Sequence, residues 1–301
     1  MNAICIKGLV KTYRTGTQAL KGVDLSIADG DFFALLGANG AGKTTIIGIL
    51  TGLVTKTGGK VEIFGHDIDT DFEAAKKSIG VVPQEFNFHM FEQVQDIVVN
   101  QAGYFGIDHK TALKDSQEIL KRVGLWEKRK AISRTLSGGM KRRLMIARGL
   151  IHHPRMLILD EPTAGVDVEL RHGMWEYLRQ INAAGTTILL TTHYLEEVEQ
   201  MCNNCAIIKE GEIVLLDNVR HLLTKVPQDT YRVTVKEMLS LDQVRSFNPV
   251  KIDEHTLDIE IQKREELNEV ILKLAQSGFV ITDFHPKGNR LEKLFLEIVQ
   301  R

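Results

Sequence analysis

The sequence predicts an α/β fold: a mostly parallel sheet covered by helices on both faces, followed by a second, smaller α/β domain. Three observations predict it. Short apolar runs such as FFALL (32–36), MLILD (156–160) and TILLT (187–191) alternate with longer helical periods such as KTTIIGILTGL (43–53) and GGMKRRLMIARGLI (138–151). Strands that are apolar along their whole length belong in sheets buried on both sides, which crossover helices produce. The length of 301 residues suits one large domain plus a small one, and 43% hydrophobic with 26% charged residues is ordinary for a globular chain.

Taken in order, the first 30 residues and the stretch AIIKEGEIVLL (206–216) suggest antiparallel strands, and VEIF (61–64) a further strand. From about 85 to 150 the strand signal fades and helical periods, including 111–123, replace it. This reads as a helical subdomain inserted in the α/β core. After 222 the pattern changes again: a strand at TYRVTV (230–235), a helix at MLSLDQVRSF (238–247), and a hairpin from VKID and TLDIEIQ (250–262). A helix at EELNEVILKLAQSG (265–278), a strand at FVITDF (279–284) and a helix at RLEKLFLEIV (290–299) complete it. That βαββαβ order with one extra helix suits a ferredoxin-like domain. The expected division is 1–224 and 225–301.

Composition excludes several roles. A net charge of −1 gives no electrostatic reason to expect nucleic-acid binding. The N-terminus lacks the pattern of a signal peptide, and no apolar run approaches the 18 or so residues of a membrane span. The chain is therefore expected to stay in the cytoplasm and not to cross a bilayer by itself. Of three cysteines, Cys202 and Cys205 form CNNC; without a second pair they read as reduced thiols leading into a strand.

The chemistry sits in a few short segments. GANGAGKTT matches G-x-x-x-x-G-K-[ST] between an apolar strand and a helix, the context of a phosphate loop. Gly37, Ala38, Asn39, Gly40, Ala41 and Gly42 let backbone N–H groups wrap phosphates. Lys43 supplies a point charge to the β/γ oxygens, the Thr44 hydroxyl can sit on Mg²⁺, and Thr45 continues the turn. MLILDEP (156–162) is a buried strand ending in two acids: Asp160 can reach Mg²⁺ and Glu161 can polarise a water for attack on the γ-phosphate. TTHYLEEVE (191–199) places His193 at another strand tip, where it can donate to the γ-phosphate or hold the attacking water. VVPQEF (81–86) ends a strand at Gln84, which can touch Mg²⁺ and the water. Tyr13 can stack on adenine. A second glycine-rich turn, the Ser-Gly-Gly of LSGGMKRRL (136–144), opens a helix about a hundred residues after the first and has no lysine within the turn. Its apolar stripe, Met140, Leu144, Ala147 and Ile151, anchors the helix and leaves the N-terminus free to face an anion.

The order Tyr13, GANGAGKTT, Gln84, LSGGM, LILDEP, Asp167 and His193 resembles the nucleotide-binding subunit of an ATP-binding-cassette (ABC) transporter, over about residues 1–222. The fold this implies is the P-loop NTPase core of an ABC ATPase. The small C-terminal domain looks most like ATPase subunits of ABC-2-type exporters, which pair with a separately encoded integral membrane permease. The resemblance implies a peripheral place on the inner face of the cell membrane, with ATP and Mg²⁺ as ligands. It also implies a homodimer in which Ser137, Gly138 and Gly139 grip the ATP held by the other subunit and Asp167 signals between the sites. EFNFHMFEQVQ (85–95) is expected to contribute a groove for a permease helix. Two departures stand out: Met140 replaces the family's commoner Gln, and AGVD (164–167) replaces the commoner SALD. Neither touches Lys43, Asp160, Glu161 or His193. The alternatives are a non-transport ABC ATPase and the ATPase subunit of a polysaccharide exporter. The first usually carries two cassettes or a basic surface. The second would carry a larger all-β C-terminal domain.

Overall fold

The computed structural model describes residues 1–163, 168–225, 229–236, 249–261, 265–276, 278–287 and 290–300. They form two compact units, Met1–Val219 and Arg220–Arg301, divided a few residues before the boundary expected from the sequence.

In the first unit, β1 (Asn2–Thr12) and β2 (Gln18–Ala28) pair antiparallel, with Ile6 opposite Leu25 and Lys11 opposite Leu20. β3 (Phe32–Leu36) follows, buried along its length, then α1 (Lys43–Leu50), β4 (Gly58–Ile63), β5 (His66–Asp67), α2 (Phe72–Lys77) and β6 (Ile79–Val82). Three helices come next: α3 (Val94–Tyr104), α4 (His109–Arg122) and α5 (Gly138–Leu150). The chain then returns through β7 (Met156–Asp160), α6 (Val168–Ala183), β8 (Thr187–Thr191), α7 (Leu195–Met201), β9 (Asn204–Lys209) and β10 (Glu212–Asn218).

Two sheets result. One runs β2-β1-β4-β5 and is antiparallel. The other runs β10-β9-β3-β8-β7-β6. Its pairs from β9 to β6 are parallel, and β10 closes the edge antiparallel. The stretch 206–216, expected to be antiparallel, therefore does two jobs: β9 joins the parallel sheet beside β3 and only β10 runs against it. Phe32, Phe33, Leu35, Ile158, Leu189 and Leu190 are all essentially buried. Burying each such side chain contributes about 1.5–3 kcal/mol. That burial fixes register, because slipping a strand by one residue would displace a whole face from the core.

Parallel register has a direct consequence for function. β3, β6, β7 and β8 all point the same way, so the loops that leave them emerge at one edge of the sheet, where open α/β sheets bind ligands. The helices α3, α4 and α5 build their own apolar cluster, in which Val98 and Ala102 meet Leu120, Leu144 and Ala147. Met140 packs against the same cluster, so the expected stripe on α5 faces the subdomain it belongs to.

The second unit begins within α8 (Val219–Lys225) and contains β11 (Asp229–Val235), β12 (Val250–Lys251), β13 (Thr256–Ile261), α9 (Glu265–Gln276), β14 (Ile281–Pro286) and α10 (Arg290–Gln300). Its sheet, ordered β12-β13-β11-β14, is wholly antiparallel. β13 and β14 thus run the same way with β11 between them, joined by α9: a split βαβ, as in ferredoxin-like domains. The helix expected at 238–247 lies outside the described residues. The strand expected at 279–284 begins two residues later, because Phe279 is used instead to pack the core under β11 and α9. Among the described residues, no helix is long and apolar enough to cross a membrane.

Candidate active site

β3 delivers the chain to Gly37 at the sheet edge. A Cβ there would come within 2.5 Å of the Ile208 carbonyl oxygen on neighbouring β9, so only glycine allows the loop to pass so close. The loop then turns through Gly42, at φ +119°, into α1. No side chain caps α1 and no acid lies in its first turn, so its leading N–H groups face the space in front of them. The turn between β9 and β10 braces the loop from behind, with Gly211 N donating to Ala41 O at 2.9 Å.

In front of the loop is a cavity of about 500 Å³ lined by Asn39, Gly40, Gly42, Lys43, Thr44 and Thr45, and across from them Gln84, Asp160, Glu161 and His193. Lys43 Nζ folds back to the carbonyls of Gly37, at 2.6 Å, and Ala38, at 3.1 Å. Partial burial holds its pKa below the ordinary lysine value, against the pull of Glu161 and Asp160. Asp160 ends the buried strand β7. It accepts a hydrogen bond from Thr191 Oγ1 at 2.5 Å, in register with it on β8.

Glu161 takes a left-handed backbone conformation, φ +47°, with its N–H on Thr191 O at 3.0 Å. A non-glycine residue there costs of order 1–3 kcal/mol and persists only where its surroundings enforce it. The turn aims the carboxylate into the cavity. Oε2 accepts from Gln84 Nε2 at 3.1 Å and lies 3.3 Å from His193 Nδ1. Residues from three separate strand ends thus converge on one oxygen.

The other expected residues sit apart from the cavity lining. Tyr13 reaches it indirectly: its hydroxyl is 3.2 Å from Thr45 Oγ1, and Lys11 Nζ lies 4.8 Å from its ring centre. Ser137 caps α5, its Oγ accepting from Met140 N at 3.3 Å, and Ser137 and Gly138 are exposed. Asp167 lies outside the described residues. Cys202 and Cys205 are buried and burial pushes both thiols up, Cys205 to about 12, so neither is a ready thiolate.

Two supports are not legible in the sequence. Thr191 reads as the last residue of a strand, and only the β7–β8 register reveals that it holds Asp160. Glu197, on the helix after His193, is fully buried. It accepts from Thr163 Oγ1 and from Trp175 Nε1, the latter at 3.2 Å, and its second oxygen has no partner. By residue type alone Glu197 is one more acid on a helix. Its neighbour in sequence, Glu196, is exposed, so the sole available signal is its place one turn after His193.

A second cavity, also of about 500 Å³, lies in the helical subdomain beyond Gln84. Phe88, His89, Glu92, Gln101, Tyr104 and Arg148 are among the residues that line it. Tyr104 at its rim is 85% exposed and Phe91 nearby in sequence is 63% exposed.

The family described as ABC transporter matches residues 20–164. The linearmycin resistance ATP-binding protein of Bacillus subtilis is 34% identical over 291 residues, covering 94% of this chain and 94% of that protein. The daunorubicin/doxorubicin resistance ATP-binding protein of Streptomyces peucetius is 29% identical over 304 residues, 98% of this chain and 92% of that one. Among solved structures, cbiO1 from Clostridium perfringens, part of the cbiONQ ABC transporter complex, is similar with a TM-score of 0.69 and 30% identity, over 74% of this chain and 91% of that one. A dimeric ATP-binding cassette in a post-hydrolysis state bound to ADP and Pi has a TM-score of 0.65 and 27% identity, over 72% of this chain and 99% of that one.

Proposed function

The chain belongs to the ABC transporter family as an ATP-binding, ATP-hydrolysing subunit, and from that premise we propose that it drives export through a separately encoded membrane permease of ABC-2 type. The observation that carries the catalytic part is the meeting of Gln84 and His193 on Glu161 Oε2, in the cavity that holds Lys43. The printed roles of the relatives, drug resistance and Nod factor export, support the export part.

When ATP enters, its phosphates meet the N–H groups of residues 39–45 and the start of α1. Lys43 exchanges the Gly37 and Ala38 carbonyls for β/γ oxygens. Tyr13, tied to Thr45, offers a ring for the adenine. Thr44, Gln84 and Asp160 are oxygen donors on one cavity, the donor chemistry Mg²⁺ selects; Gln84 already spends its Nε2 on Glu161, which leaves Oε1 for the cation. Bound there, Mg²⁺ would neutralise charge on the β- and γ-oxygens. Glu161 accepts the proton of a water as the water's oxygen bonds to the γ-phosphorus and the bond to the bridging β-oxygen breaks, leaving ADP and Pi. His193 orients Glu161, and its imidazole can donate to the γ-phosphate.

The Ser137–Gly139 turn grips the nucleotide of a second copy, and Asp167 signals between the two sites. ATP can shift the dimer only by its preference for the closed form, and contacts from both subunits supply that preference. The cavity beyond Gln84, with Tyr104 at its rim, suits a helix of the permease that carries polar as well as apolar side chains. Docked in that way, the chain is peripheral on the cytoplasmic face of the membrane.

The test is co-purification. The tagged chain is recovered from membranes solubilised in mild detergent, and integral membrane proteins in the eluate are identified and counted. One permease per cassette chain is expected. Recovery of the chain without a membrane partner, with ATP or without it, would sink the proposal and favour a non-transport ATPase.

A further inference from the structure

Arg142 is 3% exposed, deep between α5 and the segment that leaves β6. Its guanidinium spans two consecutive backbone carbonyls: Nη1 donates to Pro83 O at 2.8 Å and Nη2 to Gln84 O at 2.9 Å. Its Cζ lies 5.1 Å from the ring centre of Phe86, and the buried Nε has no partner. No carboxylate of the described residues pairs with it. Asp160 acts on it only through its field, which opposes the lowering of its pKa by burial. A buried cation without an ion-pair partner is expensive to keep. A core that needed only filling would be served better by an apolar side chain.

Its position in the chain shows what it joins. Arg142 is in the second turn of α5, about 7–8 Å along the helix from Ser137, the exposed cap of the Ser-Gly-Gly turn. Its two acceptors include the carbonyl of Gln84, whose side chain reaches Glu161 Oε2. A fork that fixes two successive peptide planes fixes where the next side chain starts. A lysine in its place would be a point donor and could hold one carbonyl at a time.

We propose that Arg142 is a positioning residue, which fastens the Gln84 loop to α5 so that this helix, when it engages a nucleotide at Ser137–Gly139, sets the contact of Gln84 with Glu161 in the same subunit. It acts through Gln84 and does not touch ATP. The inference rests on the role given above to Gln84. It makes each chain a lever: the half-site it lends to its partner is mechanically joined to the half-site it keeps.

The experiment is a double-mutant cycle on ATP turnover by the purified full chain with Mg²⁺, comparing native, Arg142→Met, Gln84→Ala and the double variant. Arg142→Met keeps the aliphatic stem and removes the fork. It is expected to lower kcat roughly tenfold, since displacements near 1 Å can cost up to 10²-fold, while KM for ATP stays within about twofold because the phosphate loop is untouched. The double variant should fall no further than Gln84→Ala alone, and Arg142→Lys should lie between native and Arg142→Met. A merely structural role would lower the melting temperature and leave kcat per folded molecule unchanged, or add its loss to that of Gln84→Ala; either result overturns the inference. Should Arg142→Met fail to fold, Arg142→Lys decides: a loss present in the native background and absent in the Gln84→Ala background supports the inference, and native turnover counts against it. Gln84→Ala turning over like the native chain would sink the Gln84 assignment, and the Arg142 inference with it. A slow Gln84→Ala with an additive Arg142 loss sinks the Arg142 inference alone.

Discussion

The chain contains two glycine-rich turns that open helices, and they end in opposite situations. The turn at 37–42 is enclosed. Strand ends carrying Gln84, Asp160, Glu161 and His193 surround it, β9 presses against Gly37, and a lysine waits on its own carbonyls. The turn at 137–139 is open at Ser137 and Gly138, while Gly139 is buried. Its serine caps its own helix through a 3.3 Å bond, and no residue of it lines the cavity that holds Lys43. Both offer backbone N–H groups to an anion, yet only one is furnished with a lysine and two facing carboxylates. On the function proposed above, the second turn is half of a site whose other half comes from a second chain. A symmetric pair of chains supplies it twice, once at each end of the interface.

The sharpest way to break this comparison is to damage each turn separately. Lys43→Ala and Glu161→Gln should each lower ATP turnover by roughly 10²-fold or more, as loss of a transition-state donor or a general base does. Ser137→Arg should lower turnover comparably while leaving ATP binding to the single chain intact. Nucleotide binding measured at concentrations that keep the chain monomeric separates the cases. If Ser137→Arg abolished that binding as well, the open turn would belong to the same site as the closed one.

Mixing sharpens the contrast further. Lys43→Ala chains and Ser137→Arg chains are each inactive, but a mixed pair unites an intact phosphate loop from one with an intact serine turn from the other. Random pairing puts half the dimers in that state, each with one complete site of two, so about a quarter of native turnover should return. No recovery on mixing would exclude a site shared between chains.

Smaller effects probe the walls. Glu197→Ala strips Thr163 and Trp175 of their acceptor in a buried place and should cost about 1–3 kcal/mol of stability, read from denaturant unfolding of the full chain.

The smallest change lies in the second unit and is the control. Asp258 is buried and accepts from Arg232 at 2.8 and 3.2 Å and from Lys287 at 2.6 Å, and the Arg232 hydrogen bonds hold its pKa below the ordinary aspartate value. A depressed carboxylate pKa means that the unfolded chain binds the proton more readily. The stabilisation is complete above the unfolded value of 3.8 and is lost as pH falls through the lower, folded one. Asp258→Asn should cost about 1 kcal/mol at neutral pH, flatten that acid-side dependence in thermal melts, and leave ATP turnover as in the native chain. A turnover loss would tie the second unit to the comparison from which it is otherwise separate.

Much of the site could be read from residue order because phosphate binding is local chemistry. A loop of glycines needs particular backbone angles, a lysine must follow it at a fixed spacing, and acids at the tip of a wholly apolar strand have nowhere to go but the sheet edge. The supports could not be read that way. Thr191 became visible through register, Glu197 through burial on a helix where Glu196 faces water, and Arg142 through two carbonyls 58 and 59 residues away in sequence. The second unit divides likewise: its strands and helices follow from periodicity, but the crossing of β11 between β13 and β14 is a fact of pairing.

The sequence by itself determined the fold class, the nucleotide loop and the identities of Lys43, Asp160, Glu161 and His193, since each is written in a short window with its own steric or electrostatic demand. Only the tertiary structure decided that Gln84 and His193 share one oxygen of Glu161, and that one buried arginine ties α5 to the Gln84 loop. The physical reason is range. Backbone conformation and periodicity act over a few residues, whereas a hydrogen bond between strand ends exists only after parallel register has brought distant segments to the same edge.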